Sequence, residues 1–316
     1  MRHAIGIDIG GINTKIGIVR EGPPFKVLKQ TSIPTQVDDP ISVYVRRVAE
    51  AVAGLLKECG LKKVNGAGVG CPGLIDPWKG LVRTSPNLPN LKGVRLADKL
   101  SGALNLPVRM QNDANAAALG EYLFGSGKKC PNLIVLTLGT GVGGGVICDG
   151  HLVVGADNAA TELGHLKAEW HNGAPCGCGK TGCVEAYVGA AGITRIAREM
   201  LDGGASTILQ PDHLTPRDVA DAARKGDKTA LEVMKKVGHY LGRGIALLIE
   251  TFNPERIVFT GGTSAAADLM MPGIDDALNQ YASFEFTRKR VKISRSKFPD
   301  DVNVIGAAAV YLNAGK

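Results

Sequence analysis

Apolar residues recur along this chain in two periods, and the places where one gives way to the other mark its elements. Residues 4–19 (AIGIDIGGINTKIGIV) carry branched apolar residues at alternate positions around Gly10 and Gly11, which predicts two strands joined by a glycine turn. Apolar positions 41, 45, 48, 52, 55 and 56 share one face of a helix over 41–58. A strand over 64–69 leads into the loop GCPGLID (70–76), and a second loop, SPNLP, follows at 85–89. Residues 108–125 read as a short strand, then Asn112 and Asp113, then an Ala-rich helix. Residues 134–149 (IVLTLGTGVGGGVICD) repeat the strand, glycine turn, strand plan of the first hairpin. Helices are predicted over 184–201, from Thr215-Pro216 onward, over 228–252 until Asn253-Pro254 stops it, and over 304–312. Between the last two, the strand 256–260 runs into Gly261 and Gly262 and then a helix.

At 316 residues, 44% hydrophobic and 21% charged, the chain has the composition of a soluble globular protein and the length for two lobes. Its first residues lack the apolar segment of a signal peptide, and no run of about 18 apolar residues follows. A cytoplasmic protein with no membrane partner is expected. Seven cysteines is an odd count, and Cys59, Cys71, Cys130 and Cys148 stand alone, which suits a reducing compartment. The net charge of +7 admits nucleic acid or small anions as partners. Only 288–297 (RKRVKISRSK) is densely basic, and its alternation suggests a surface strand, so anionic nucleotides are expected rather than nucleic acid.

The densest chemistry lies in 161–185, TELGHLKAEWHNGAPCGCGKTGCVE. His165, Cys176, Cys178 and Cys183 are separated by glycines at 177, 179 and 182, which let a tight loop turn three thiolates and one imidazole toward one point. Zinc takes that ligand set, and a closed four-ligand site is structural. Such sites contribute roughly 10–16 kcal/mol in small domains. The competing readings are a disulfide or buried small hydrophobes, but three Cys within eight positions between glycines make a poor core strand. Glu162 and Glu185, at either end, are candidates to hydrogen-bond a polar ligand; each alone would suit a surface charge or a helix cap.

In the first hairpin, Gly10 and Gly11 let backbone N–H groups approach a phosphate, and Asp8 beside them suits Mg2+, directly or through water. A single such turn reads as an ordinary hairpin. Two copies, the second at Gly139, Thr140 and Gly141, suggest a pair gripping a polyphosphate. In the loops Gly73 and Asn87 could meet a ligand, although such sequences are often only turns. Asp113 reads equally well as a helix cap and as a catalytic base.

The order DIGG at Asp8, GCPGLID at Gly70, QNDAN at Gln111, GTGVGGG at Gly139, ELGH at Glu162, CGCGKTGCVE at Cys176 and FTGG at Phe259 resembles the ROK family of bacterial sugar kinases and sugar-responsive repressors. The resemblance spans nearly the whole chain, and the ELGH and CxCGxxGCxE pair is its most specific part. Repressor members carry an additional N-terminal helix-turn-helix, whereas here the phosphate hairpin starts at residue 4, so an enzyme member is expected. The implied fold is α/β, the two-lobed actin-like and hexokinase-like ATPase fold with ribonuclease H-like lobes and a zinc-bound loop. Residues 1–111 would form one lobe, rejoined by the C-terminal helix 303–316, and residues 112–302 the other, with the zinc loop.

By resemblance Asp113 is the catalytic base, and Gly73, Asn87, Asn112, Glu162, His165 and Glu185 bind the sugar. Asp8, Gly10, Gly11, Asn13, Lys15, Gly139, Thr140, Gly141, Gly261 and Gly262 take the nucleotide and its Mg2+. His165 would also join Cys176, Cys178 and Cys183 on Zn2+. The implied activity is ATP-dependent phosphorylation of a hexose at its 6-hydroxyl, with glucose favoured by the GCPGLID and SPNLP loops. The alternatives are an N-acetylhexosamine kinase or fructokinase of the same family, a non-catalytic sugar sensor, and a zinc-ribbon nucleic-acid binder that leaves both glycine hairpins unexplained. The family also implies a homodimer or homotetramer.

One position departs from the pattern. The family's DxGGT has Ile12 in place of Thr, removing a hydroxyl whose bond to a phosphate would contribute about 1.5–3 kcal/mol. Ile12→Thr is expected to lower the KM for ATP in steady-state assays; an unchanged or higher KM would show that the side chain lies away from the phosphates.

Overall fold

The alternation at the N-terminus sorts one strand's residues onto two different neighbours. Ile5, Ile7 and Ile9 enter one core, while Ala4, Gly6 and Asp8 lie on the opposite face. The structure, a computed structural model, describes residues 2–22, 25–298 and 301–313. Residues 314–316 of the expected closing helix lie outside the described residues.

In chain order the elements are β1 (His3–Ile9), β2 (Asn13–Arg20), β3 (Lys26–Pro34), α1 (Ile41–Glu58), β4 (Gly66–Cys71), β5 (Leu74–Asp76), β6 (Leu81–Thr84), α2 (Leu96–Leu104), β7 (Val108–Asn112) and α3 (Asp113–Leu123). There follow β8 (Leu133–Leu138), β9 (Val142–Cys148), β10 (His151–Leu152), α4 (Glu185–Val188), α5 (Ala190–Asp202), α6 (Pro216–Arg224) and α7 (Lys228–Phe252). The chain ends with β11 (Arg256–Thr260), α8 (Ala267–Tyr281), α9 (Glu285–Arg290), β12 (Lys292–Arg295) and α10 (Val302–Leu312). They form two compact units. One comprises residues 1–129, 145–161 and 297–316, and the other comprises 130–144 and 162–296.

The first unit is built on the sheet β3-β2-β1-β4-β7, antiparallel across β1 to β3 and parallel across β1, β4 and β7. One face is closed by α1 and α2, through Tyr44, Val48, Val52, Leu96 and Leu100. Each such side chain fully withdrawn from water contributes about 1.5–3 kcal/mol. The other face is closed by α10, whose Val304, Ala308 and Leu312 pack on Ala4 and Val19. Two glycines allow that approach. A Cβ at Gly6 would lie 2.0 Å from the Val304 carbonyl oxygen, and one at Gly68 would lie 1.9 Å from that of Ala307. The helix backbone rests directly on the sheet, which an alanine there would prevent.

The second unit has β8, β11 and β12 in parallel, with β9 beside β8. β9 begins in this unit and continues in the first, where β10 pairs with it. The long helix α7 lies against α8, again through glycines: a Cβ at Gly238 would stand 2.0 Å from the Met270 carbonyl oxygen. Two expected elements differ. The helix over 184–201 is broken into α4 and α5 at Gly189, where a Cβ would lie 2.9 Å from the Glu185 and 3.0 Å from the Thr140 carbonyl oxygens. The basic run 288–297, expected as a surface strand, is divided between the end of α9 and β12. Among the described residues no helix is long and apolar enough to cross a membrane.

Candidate functional site

The carboxyl ends of β1, β4 and β7 bring together most of the residues expected to carry chemistry in the first unit. Asp8 pairs across the sheet with Lys15 on one side and Gly70 on the other. Gly70 separates the two carboxylates: a Cβ there would lie 3.6 Å from Asp113 Cα and 3.7 Å from Asp8 Oδ1. Asp8 is withdrawn from water, whereas Asp113 keeps an exposed surface. Burial raises the Asp8 carboxyl to about 6, against a 3.0 Å hydrogen bond donated by Asn303 Nδ2 that stabilises the anion, while the charge of Asp113 pushes it further up. Protein atoms packed around Asp113 displace water and raise its carboxyl as well, although the residue keeps an exposed surface, and the N–H groups at the start of α3 and Asn112 oppose that rise.

The cap of α3 is Asn112, whose Oδ1 accepts from the N–H of Ala114 at 2.9 Å and of Asn115 at 3.2 Å. Asp113 is therefore the first residue inside the helix, where it accepts from the Ala114 N–H at 2.9 Å and meets the positive end of the helix dipole. Asn112 Nδ2 donates to the carbonyl oxygen of Gly73, 3.2 Å away. Below it, Gln111 and Asn158 exchange a buried pair of amide hydrogen bonds, 2.8 and 3.1 Å, and Gln111 Oε1 also holds the Asn112 N–H at 2.7 Å. Gly11 lies beside Asn87, and Gly10 closes the hairpin by donating to the Asn13 carbonyl oxygen at 3.0 Å.

The second unit gathers the rest. His165, Cys176, Cys178 and Cys183 each offer one ligand atom within 4.8 Å of the others. All seven cysteines are free, and Cys178 Sγ to Cys183 Sγ is 3.8 Å, so the disulfide reading fails. Tetrahedral zinc with bonds of about 2.3 Å holds sulfurs roughly 3.8 Å apart, so the spacing fits such an ion. Turns at Gly179 and Gly182, with φ of 80° and 76°, and the bond from the Cys176 N–H to the Lys180 carbonyl oxygen at 2.8 Å shape the loop. Burial pushes the Cys176 thiol up to about 12, whereas a backbone hydrogen bond from Lys180 lowers that of Cys178. A cation among the four would favour every thiolate.

Glu185 connects this cluster to the second glycine hairpin. One carboxylate oxygen accepts from the Cys176 thiol at 3.4 Å and the other from the Val142 N–H at 2.9 Å. The hairpin turn also meets the start of α5, whose Ala190 N–H bonds the Gly139 and Thr140 carbonyl oxygens at 3.1 Å. The turn Leu163–His165 packs on the same hairpin, since a Cβ at Gly164 would lie 1.9 Å from the Val142 carbonyl oxygen; Glu162 opens that turn and is exposed. Gly261, at φ 83°, abuts the end of β8 at Leu138, while Gly139 and Gly262 have open space where a side chain would begin.

The ROK family profile matches residues 4–314. The chain belongs to the ROK family. It is 35% identical over 311 residues to a glucokinase of Thermotoga maritima, covering 97% of this chain and 96% of that protein. A ROK glucokinase from Streptomyces griseus, solved in complex with glucose and AMPPNP, is 30% identical and superposes with a TM-score of 0.81, covering 97% and 98% of the two chains. The repressor Mlc of Escherichia coli is 30% identical over 250 residues, 79% of this chain and 61% of its own. The actin-like, hexokinase-like α/β fold of these ROK structures is the fold of this chain.

The ROK motifs thus divide into two groups. Asp8, Gly10, Gly11, Asn13, Lys15, Gly73, Asn87, Asn112 and Asp113 belong to the first unit; Gly139, Thr140, Gly141, Glu162, His165, the three cysteines, Glu185, Gly261 and Gly262 belong to the second. Two participants lie outside every motif. Asn303 reaches Asp8 from the start of α10, and Asn158 braces Gln111 from the loop after β10. Because burial favours the protonated Asp8 carboxyl, the fold gains stability from it below the unfolded value near 4 and loses that gain as pH rises through about 6. Asp8→Asn should therefore raise the melting temperature at pH 8 in Mg2+-free buffer, by roughly 2–4 °C for each kcal/mol relieved. The advantage should shrink as pH falls from about 6 toward 4; equal melting temperatures at pH 8 would mean that Asp8 ionises without cost.

Proposed function

We propose that the chain is an ATP-dependent hexose kinase that transfers phosphate to the 6-hydroxyl, with glucose as its substrate and glucose 6-phosphate as its product. The observation that carries this reading is Asp113, an exposed carboxylate of raised basicity at the start of α3, beside Asn112, which fills the cap, and facing Asp8 across Gly70. The likeness to a glucokinase and to a structure holding glucose and AMPPNP supports the choice of substrates.

In the reaction the ionised Asp113 accepts the 6-hydroxyl proton while the sugar oxygen bonds to the γ-phosphorus, and the bond to the departing ADP breaks. Asn112, Gly73, Asn87, Glu162, His165 and Glu185 orient the sugar. Backbone amides at Gly10, Gly11, Gly139, Thr140 and Gly141, with Asn13 and Lys15, receive the phosphates, and Gly261 and Gly262 line the adenosine. When bound near Asp8, Mg2+ neutralises charge on the transferred group. Zn2+ held by His165, Cys176, Cys178 and Cys183 is structural. The working state is a cytoplasmic homodimer or homotetramer that takes neither nucleic acid nor a membrane as partner.

A sugar-sensing protein without turnover is the second reading, favoured by Ile12 and by the likeness to Mlc. Measuring ADP release with glucose, other hexoses, N-acetylhexosamines and fructose separates the two. Release that is fastest with glucose is expected. Release with fructose or N-acetylhexosamines alone reassigns the substrate, and sugar binding without any release selects the sensor. Asp113→Asn should cut kcat at least about a hundredfold while leaving hexose affinity by calorimetry nearly unchanged; near-normal turnover removes Asp113 from its role.

Elemental analysis should find one zinc per chain, and Cys178→Ser should lower zinc affinity in chelator competition by an order of magnitude or more. A purified chain that neither contains nor takes up zinc would refute the metal assignment.

A further inference from the structure

Three buried hydroxyls from distant parts of the sequence form a line that ends on the first glycine hairpin. Tyr44, on α1, lies 3.0 Å from Thr14 Oγ1; Thr14, on β2, lies 3.0 Å from Thr35 Oγ1; and Thr35, just after β3, lies 2.7 Å from the Gly10 carbonyl oxygen. All three residues are buried. The last acceptor fixes the direction of the whole line, because a carbonyl oxygen cannot donate. Thr35 must give its proton to Gly10, so it accepts from Thr14, which in turn accepts from Tyr44. In such a chain each bond polarises the next.

Thr35 grips the turn twice. Besides its hydroxyl on Gly10, its N–H donates to the Ile12 carbonyl oxygen at 2.8 Å. In a trans peptide the C=O and the following N–H point in opposite directions. Drawing the Gly10 and Ile12 carbonyls toward Thr35 therefore turns the N–H groups of Gly11 and Asn13 toward the other face of the turn. Amides presented on one face form an anion-binding concavity. The backbone holds this arrangement, and the Ile12 side chain, 83% exposed, takes no part in it.

We infer that Thr35, backed by Thr14 and Tyr44, is a positioning residue for the phosphoryl donor: it orients the hairpin amides that receive the nucleotide's phosphates. The inference rests on the kinase reading for its substrate but concerns a different step from the proton transfer at Asp113. A purely structural role would lower the melting temperature of variants without separating the two substrates. A positioning role would separate them.

The test compares Thr35→Val, which keeps the shape and removes the hydroxyl, with Thr35→Ser, which keeps the hydroxyl, in the full-length protein. Thr35→Val is expected to raise the KM for ATP about five- to tenfold with the hexose KM within about twofold of wild type, as loss of one buried hydrogen bond implies. Thr35→Ser is expected to restore the wild-type ratio. Should Thr35→Val not fold, Tyr44→Phe, which removes the first donor of the line, is expected to show the same split at about two- to threefold. An ATP KM within 1.5-fold of wild type in the folded variants, or equal shifts in both KM values, overturns the inference while leaving the kinase reading intact. If the wild type phosphorylates no hexose, the kinase reading fails and Mg-ADP binding by calorimetry decides instead: a Kd weakened in Thr35→Val but not in Thr35→Ser sustains the positioning role, and an unchanged Kd removes it.

Discussion

Burying a negative charge is among the costliest things a fold can do, and the first unit buries the carboxylate of Asp8 within the field of a second, the exposed Asp113, across one glycine. Much of its architecture bears on that cost. Asp8 is met by the Asn303 amide, which reaches it because α10 lies directly on Gly6 and Gly68. Asp113 sits at the N-terminus of α3, where backbone N–H groups and the helix dipole favour negative charge. Asn112 takes the cap, and the Asp113 carboxylate beside it keeps an exposed surface. The opposition is incomplete, and both carboxyls stay above their ordinary values. That residual cost would suit the proposed base, since a carboxylate fully satisfied by hydrogen bonds takes up a proton less readily.

The second unit reaches rigidity by another route. Its loop of glycines and cysteines has little apolar surface to bury, and a cation held by the four side chains that converge there would stand in for a core. Glu185 extends that order outward, since the same carboxylate touches Cys176 and the N–H that follows the second glycine turn. The Gly189 break in the helix serves the same end: with α5 starting one residue later, its first N–H meets the turn's carbonyls. Metal loop, carboxylate, turn and helix start thus form one hydrogen-bonded series within a single unit.

What could be read in advance depended on how local each interaction is. Both glycine hairpins, the helix over 41–58 and the ligand spacing from His165 to Cys183 were legible because each is encoded within a few turns or strands of chain. Gly189 was not, because the apolar period runs through it and its extended backbone, with ψ of 162°, goes with a tertiary bond from the Ala190 N–H to the Gly139 and Thr140 carbonyls. The division of 288–297 between α9 and β12 was hidden for a similar reason, as pairing of Lys292 to Arg295 with β11 overrides the run's uniform composition. Asn303 and Asn158 carry no motif at all. Their partners lie far away in sequence, and neither pairing exists until the sheet and its covering helix are assembled.

The same distinction bears on Ile12. From sequence alone it stands as a defect, a missing hydroxyl in a phosphate turn. In the fold the turn is shaped by carbonyls drawn toward Thr35 and by the Gly10 N–H on Asn13, none of which involves a side chain at position 12. Having Ile rather than Thr there leaves these backbone bonds untouched. A turn held by its own backbone tolerates such a change, whereas a turn held by the side chain at its tip would not, so the departure from the ROK pattern leaves the shape of the turn intact.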